Sequence, residues 1–400
     1  MTMTTSTRIQ EMQYSPIRRL VPVAEETKKR GIKVYHLNIG QPDIETPKEF
    51  FDAIKNFDAK VLEYAFSQGL PVLIDAFADY YKSFGLHYEK DEILITNGGS
   101  EALMFALIAA CDRGAEVLIP EPYYTNYSTF SDITGVVDVP IQTDADRGFK
   151  LPDIAEIEKK ITSKTKAILL SNPGNPTGAV YDREDMEKVK TLALKHDLYI
   201  ISDEVYKEMI YDGLKFTSFG QLEGIEDRVI VTDSISKRYS ACGARIGCVV
   251  SKNKEIIRQI LKLCQGRLSV ATLEQIGAAA LAKVSPDYIV NVVKEYESRR
   301  NTVYQALNTM PGVSCKKPSG AFYIMASLPI DDSDDFCKWL LSDFNINNET
   351  VMFAPGSGFY TTEGKGKNEV RISYVLKNDD LVKAMSILSE ALKVYPGVRK

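Results

Sequence analysis

The sequence predicts an α/β fold in which a mostly parallel sheet is flanked by helices and joined to a smaller α+β domain. Three observations carry that prediction. Short apolar runs alternate with helical periodicities through the middle of the chain, each run empties into a polar cluster, and the pattern changes character after about residue 285. The strand-like runs are 166–171 (KAILLS), 198–202 (LYIIS) and 228–232 (RVIVT), with 245–250 (RIGCVV) as a fourth. Between the first two, residues 183–196 place Met186, Val189, Leu192 and Ala193 on one helical face, and Asp182 stands where a cap belongs. Strand, helix, strand in this order is a βαβ unit, which makes the neighbouring strands parallel. Further on, 288–309 reads as one long helix with Tyr296, Val303 and Leu307 among its apolar positions, and the acidic stretch 331–335 falls in the smaller domain. The division read from this pattern is 1–44 as an N-terminal segment packing with the small domain, 45–289 as the large domain and 290–400 as the small one.

Composition limits what such a chain can do. Its 400 residues suffice for two or three domains, and 44% hydrophobic with 26% charged residues is ordinary globular material. Forty-nine Lys and Arg against 54 Asp and Glu leave a net charge of −5, without the cationic excess that phosphate-backbone binding requires, so no nucleic-acid partner is expected. The six cysteines form no C-x-x-C pair and the three histidines lie far from them in sequence; no metal site is expected, and free thiols suit a reducing cytoplasm. The N-terminus has no apolar signal-like core, and the longest apolar run, 102–111, is half of what a bilayer span needs. No membrane partner is expected.

In open α/β sheets ligands bind beyond the carboxyl ends of the strands, so the residues just after each predicted strand matter most. After 166–171 comes 172–178 (NPGNPTG). After 198–202 come Asp203, Glu204 and Tyr206. After 228–232 come Ser234, Ser236, Lys237 and then Arg245. Taken singly each has a plain structural reading: a turn, a helix cap, a solvated lysine, a surface ion pair, a helix start at residues 98–100. Together they meet the needs of one cofactor that carries an aldehyde, a pyridine ring, a phenolic oxygen and a phosphate. The aldehyde needs a lysine (Lys237) and the ring nitrogen a carboxylate (Asp203). The phenolic oxygen needs donors such as Asn175 and Tyr206, and the phosphate needs the Gly99–Ser100 helix start, the Ser234 hydroxyl and the Arg245 guanidinium.

Residues 234–247 (SISKRYSACGARIG) resemble the pyridoxal-phosphate attachment segment of the class I/II aminotransferases, with a small polar residue three before the lysine and an arginine eight after it. The similarity continues through 39–43 (IGQPD), 96–102 (TNGGSEA), 122–124 (PYY), 172–178, 203–206 (DEVY) and 371–374 (RISY), in the family's order, so it covers nearly the whole chain. The resemblance implies the type I fold of pyridoxal-phosphate-dependent transferases, with a seven-stranded-type sheet. It also implies an aminotransferase that moves an amino group from an L-amino acid to a 2-oxo acid in ping-pong fashion. By the same resemblance Lys237 holds pyridoxal 5'-phosphate as an imine and shuttles the Cα proton, while Asp203 pairs with the ring nitrogen. Tyr206 and Asn175 serve the phenolic oxygen and Tyr124 the ring face, and Gly99, Ser100, Ser234 and Arg245 hold the phosphate. Gly40, Asn175 and Arg371 meet the substrate, Arg371 as a two-pronged clamp on its carboxylate. Tyr64 reaches the phosphate of a neighbouring subunit, which implies a homodimer with shared active sites.

Ser100 stands where some aspartate-preferring members have a lysine, so a distal-carboxylate clamp of that kind is not expected; Arg18 and Arg19, near a predicted N-terminal helix, read as solvated ahead of serving as a replacement cation, and aspartate, alanine, aromatic and other donors stay open. A lyase or synthase on the same fold would use the same lysine and aspartate and stays open at this point. A non-catalytic module of the regulator type is disfavoured because only about thirty residues precede the first motif, too few for a DNA-binding domain. A nicotinamide enzyme lacks its G-x-G-x-x-G.

Overall fold

A computed structural model describes residues 4–398. Its strands in chain order are β1 (Lys33–His36), β2 (Ile93–Asn97), β3 (Glu116–Glu121), β4 (Val137–Gln142), β5 (Thr165–Ser171), β6 (Tyr199–Asp203), β7 (Val229–Ser234) and β8 (Ile246–Val250). They are followed by β9 (Ser314–Cys315), β10 (Tyr323–Ser327), β11 (Glu349–Met352), β12 (Ala354–Pro355) and β13 (Glu369–Ser373). Seven of them form one sheet in the order β2-β8-β7-β6-β5-β3-β4, parallel from β7 to β4, with β8 antiparallel to both its neighbours. The run 245–250 is therefore a strand of this sheet, running against the rest.

The sheet is covered on both faces, which is why its strands read as unbroken apolar runs rather than alternations. Ile168 and Leu170 of β5 face one hydrophobic core with Ile200, Val229 and Val231, while Ala167 and Leu169 face a second core with Ile201, Ile230 and Val249. Helix Arg183–His196 seats Met186, Val189, Leu192 and Ala193 in the first core, and Asp182 caps it by accepting the Asp185 amide at 3.0 Å. Helix Gly98–Ala110 packs Ala102, Leu103, Ala106 and Leu107 into the second, beside helix Lys254–Arg267.

A third core gathers Leu20, Ala24, Val34 and Leu37 with Val303 and Leu307 of the helix Pro286–Asn308 and the inner residues of β10 and β13. Here β12-β13-β10-β9 form an antiparallel sheet, and β1 pairs parallel with β11. The long helix begins at Pro286 behind a Ser285 cap, two residues before the point read from its apolar spacing, so residues 289 and 290 lie within one continuous helix. The acidic stretch is a helix start: Asp332 accepts the amides of Asp334 and Asp335, and all three charges sit at the positive end of Ser333–Ser342.

One edge of the large sheet collects the ends that matter. Strands β3, β5, β6 and β7 finish there at Glu121, Ser171, Asp203 and Ser234; β2 finishes there at Asn97, and antiparallel β8 begins there just after Arg245.

Candidate active site

At that edge Lys237, half-buried, donates from Nζ to the Gly40 carbonyl at 2.8 Å. Arg371, buried on β13, donates from Nη2 to the Asn38 carbonyl and from Nη1 to the Asn175 Oδ1 at 3.0 Å. The amine and the guanidinium thus sit on carbonyls two residues apart in one segment, about 7 Å along an extended backbone. Among the described residues Arg371 has no carboxylate partner, and its Nε has no hydrogen-bond acceptor. Burial without an acid lowers its proton affinity below the usual guanidinium value. Tyr323 and Phe359 lie against the guanidinium, with ring centres 4.5 and 4.9 Å away. It is a buried cation that lacks an anion.

Asp203 presents the opposite need. It is buried at the end of β6, accepts the Tyr127 hydroxyl at 2.7 Å and, among the described residues, touches no cation. Burial raises its pKa to about 6, against the Tyr127 hydrogen bond and the Lys237 charge, which pull it down. Because this carboxyl's value lies above its unfolded one, the native chain binds more protons between roughly pH 4 and 6. Stability is therefore lost as pH rises through that window. Asp203→Asn in the cofactor-free protein is expected to be more stable than wild type at pH 8 by about 2–3 kcal/mol, with no difference at pH 3. Urea melts at both values check this.

Tyr206 is buried beside Asp203 in sequence and shares a hydrogen bond with the Tyr323 hydroxyl at 2.9 Å. Tyr124 follows β3, and burial pushes its phenol up to about 12, with Tyr323, Asp203, Arg371 and Arg18 all contributing charge effects. These residues, with Gly40 and Asn175, form one group. A second group lies at the start of helix Gly98–Ala110. Gly98 has φ +75°, and a Cβ there would come within 2.5 Å of Arg245 Nη2, while a Cβ on Gly99 would lie 3.7 Å from Ser234 Cβ. Ser100 is partly buried in the first helical turn, so free amides, a hydroxyl and a guanidinium meet at a positive helix end. The Ser234 hydroxyl donates to the Ile246 carbonyl at 3.0 Å and faces Ser236 Oγ at 2.6 Å. Tyr64 stands apart from both groups, 82% exposed among Val61, Leu62 and Phe66, which are also exposed.

Arg19 is exposed and also pairs with Asp334, because the turn at residues 15–19 packs on the small-domain loop through Pro16 and Gly358. Arg18 is exposed, as expected. Sequence reasoning missed Gly98, Asn38, Tyr127 and Tyr323. Gly98 was visible as the first glycine of its pair. The two tyrosines carry no local signal, since each is defined by what it touches on another element.

Within the site a buried guanidinium without an acid, a lysine amine on a nearby carbonyl and a helix start with free amides come together. The family model "Aminotransferase class I and II" matches residues 32–388, and the chain belongs to that family of pyridoxal-phosphate-dependent enzymes, which pass an amino group from an amino acid to a 2-oxo acid. It is 31% identical over 397 residues to an aspartate aminotransferase of Bacillus sp. (strain YM-2), covering 96% of each chain. It is 32% identical to aromatic-amino-acid aminotransferase 2 of Thermococcus litoralis, covering 98% of this chain and 99% of that one. The solved alanine aminotransferase from Pyrococcus furiosus superposes with a TM-score of 0.89 at 34% identity, covering 98% of this chain and all of that one. The donor set here fits the cofactor: a free amine, a buried carboxyl without a cation, clustered hydroxyls, and a glycine-lined helix start where a Cβ on Gly98 would strike the arginine.

Proposed function

We propose that this chain transaminates L-α-amino acids with Lys237 as the acid–base group and Arg371 as the reader of the substrate carboxylate. The observation that carries this is the pairing of Lys237 and Arg371 on the carbonyls of Gly40 and Asn38. A carboxylate held two-pronged on Arg371 would bring the adjoining Cα toward the Lys237 amine. Asn175, already bonded to Arg371, holds that guanidinium in plane, and Gly40 brings its backbone against the substrate because it has no side chain to keep it away.

Pyridoxal phosphate, when bound, supplies a carbonyl that takes the substrate amine and a cationic ring that draws electrons from Cα. Lys237 would take the proton from the substrate Cα, hold it on its amine and return it to the carbon on the far side of the substrate nitrogen. Asp203 holds the proton on the ring nitrogen, for which its lack of any cation partner suits it. Tyr206 and Asn175 donate to the phenolic oxygen, Tyr124 covers the ring face, and Gly99, Ser100, Ser234 and Arg245 hold the phosphate. The relatives are named for aspartate, alanine and aromatic substrates, so the shared α-carboxylate, rather than one side chain, is the recognition element assigned here.

A single-turnover test separates this from elimination on the same fold. The loaded enzyme mixed with one amino acid should release one equivalent of 2-oxo acid per subunit and stop until a second oxo acid is added. Continuous release of ammonia from one amino acid alone would identify a lyase.

We further propose a homodimer in which Tyr64 completes the neighbouring subunit's phosphate site. Val61, Leu62, Tyr64 and Phe66, set close together in one short segment, are exposed large hydrophobic side chains that association would cover. Sedimentation should give twice 44.7 kDa, and Leu62→Asp with Phe66→Asp should yield monomers that lose the cofactor on dialysis. A dimer that persists unchanged would place the interface elsewhere. The compartment we propose is the cytoplasm: all six cysteines are free, and no single described helix is long and apolar enough to cross a membrane.

A further inference from the structure

Tyr323, which none of the sequence motifs contains, stands where three parts of the site meet. Its hydroxyl is 2.9 Å from that of Tyr206. Its ring lies against the Arg371 guanidinium, 4.5 Å from the ring centre. The same hydroxyl fills the space that a Cβ on Gly40 would take, and the Gly40 carbonyl is the Lys237 acceptor. The sheet explains the placement. Tyr323 opens β10 opposite Ser373, and Arg371 lies two residues along β13, so both side chains leave the same face as diagonal neighbours.

Two buried phenols in contact share one hydrogen bond, and the one that accepts keeps its own hydrogen free. With Tyr323 donating, the Tyr206 hydrogen can serve a third oxygen, and acceptance strengthens that donation. The other charged or titratable groups acting on this pair are Tyr124 and Asp203 on Tyr206, and Arg371 on both sides. Phe322, the preceding residue, has its ring 5.9 Å from the Lys237 amine.

We propose that Tyr323 is a positioning residue with two separable parts: its hydroxyl orients and strengthens the Tyr206 donor, and its ring braces Arg371 for the substrate carboxylate. This rests on the roles given above to Tyr206 and Arg371. One side chain then links the half of the site that holds the cofactor to the half that reads the substrate.

The test uses the loaded enzyme in three variants, Tyr323→Phe, Tyr323→Leu and Tyr206→Phe, with two readouts. The first is the pH titration of the visible absorption of the lysine-bound cofactor without substrate, and the second is the split between KM and kcat for an amino acid. Tyr323→Phe keeps the ring. It should raise the titration midpoint by about half a unit to one unit, the equivalent of one hydrogen bond, and lower kcat roughly threefold to tenfold with KM unchanged. Tyr323→Leu removes the ring as well and should also raise KM by about tenfold. A Tyr323→Phe enzyme with the wild-type midpoint and kcat overturns the proposal, provided Tyr206→Phe does shift the midpoint. If Tyr206→Phe leaves the midpoint in place, the role given to Tyr206 fails and this proposal fails with it. Should the Leu variant not fold, the Phe variant decides alone, since it differs by a single oxygen.

Discussion

Lys237→Ala is expected to fold normally and to lose at least about 10³-fold in turnover, because the substitution removes both the covalent tether and the base. The cost to the fold is small. The Lys237 ammonium is half-buried, and its close contacts are the Gly40 carbonyl at 2.8 Å and the Cys242 sulfur at 3.8 Å, so its loss removes one good hydrogen bond, about 1 kcal/mol. The melting temperature should therefore stay within a few degrees of wild type while kcat collapses. The visible absorption of the holoenzyme should disappear along with borohydride-fixable cofactor. Turnover within tenfold of wild type would remove Lys237 from the reaction.

Arg371→Ala is expected to act on substrate recognition. A buried, two-pronged guanidinium–carboxylate pair is made of charge-assisted hydrogen bonds, each worth about 1.5–3 kcal/mol, so kcat/KM for an α-amino acid should fall about 10³-fold. Arg371→Lys should fall about 10²-fold, since an ammonium keeps the charge but not the planar fork that the Asn38 and Asn175 oxygens hold in place. The sharpest readout is the ratio between an amino acid and the amine that lacks its carboxylate: wild type should discriminate strongly, and Arg371→Ala hardly at all. A variant that still prefers the amino acid by the wild-type margin would show that another group reads the carboxylate.

Both effects fall on residues that the sequence already singled out, Arg371 through the family resemblance alone and Lys237 through covalent proximity to a predicted strand. Ser234, Lys237 and Arg245 lie within one short stretch that leaves a single strand, so the strand's apolar run and the polar cluster after it appear in one window of sequence. Asp203 closes β6 and Tyr206 follows it in the same way, and Gly99 and Ser100 follow β2. The crossover helix was legible to the residue, because its face was apolar at helical spacing and its cap was an aspartate that bonds three residues on. Strand direction was less legible: β8 looks like its parallel neighbours in composition and differs only in which way it is threaded.

The sequence by itself determined the class of the protein: a covered parallel sheet, a lysine and a carboxylate placed after consecutive strands, and a family resemblance from end to end. Only the tertiary structure decided how those groups are supported. It put Tyr127 against Asp203 and set Tyr323 between Tyr206 and Arg371. It also left Arg371 buried without an acid, on a carbonyl two residues from the one that Lys237 holds. Contacts of this kind join residues from 48 to 333 positions apart, and the chain's chemistry carries no mark of them until the sheet has brought its ends to one edge. Burial, which gives a carboxyl or a guanidinium its need for a partner, is a property of the packed fold and not of any segment within it.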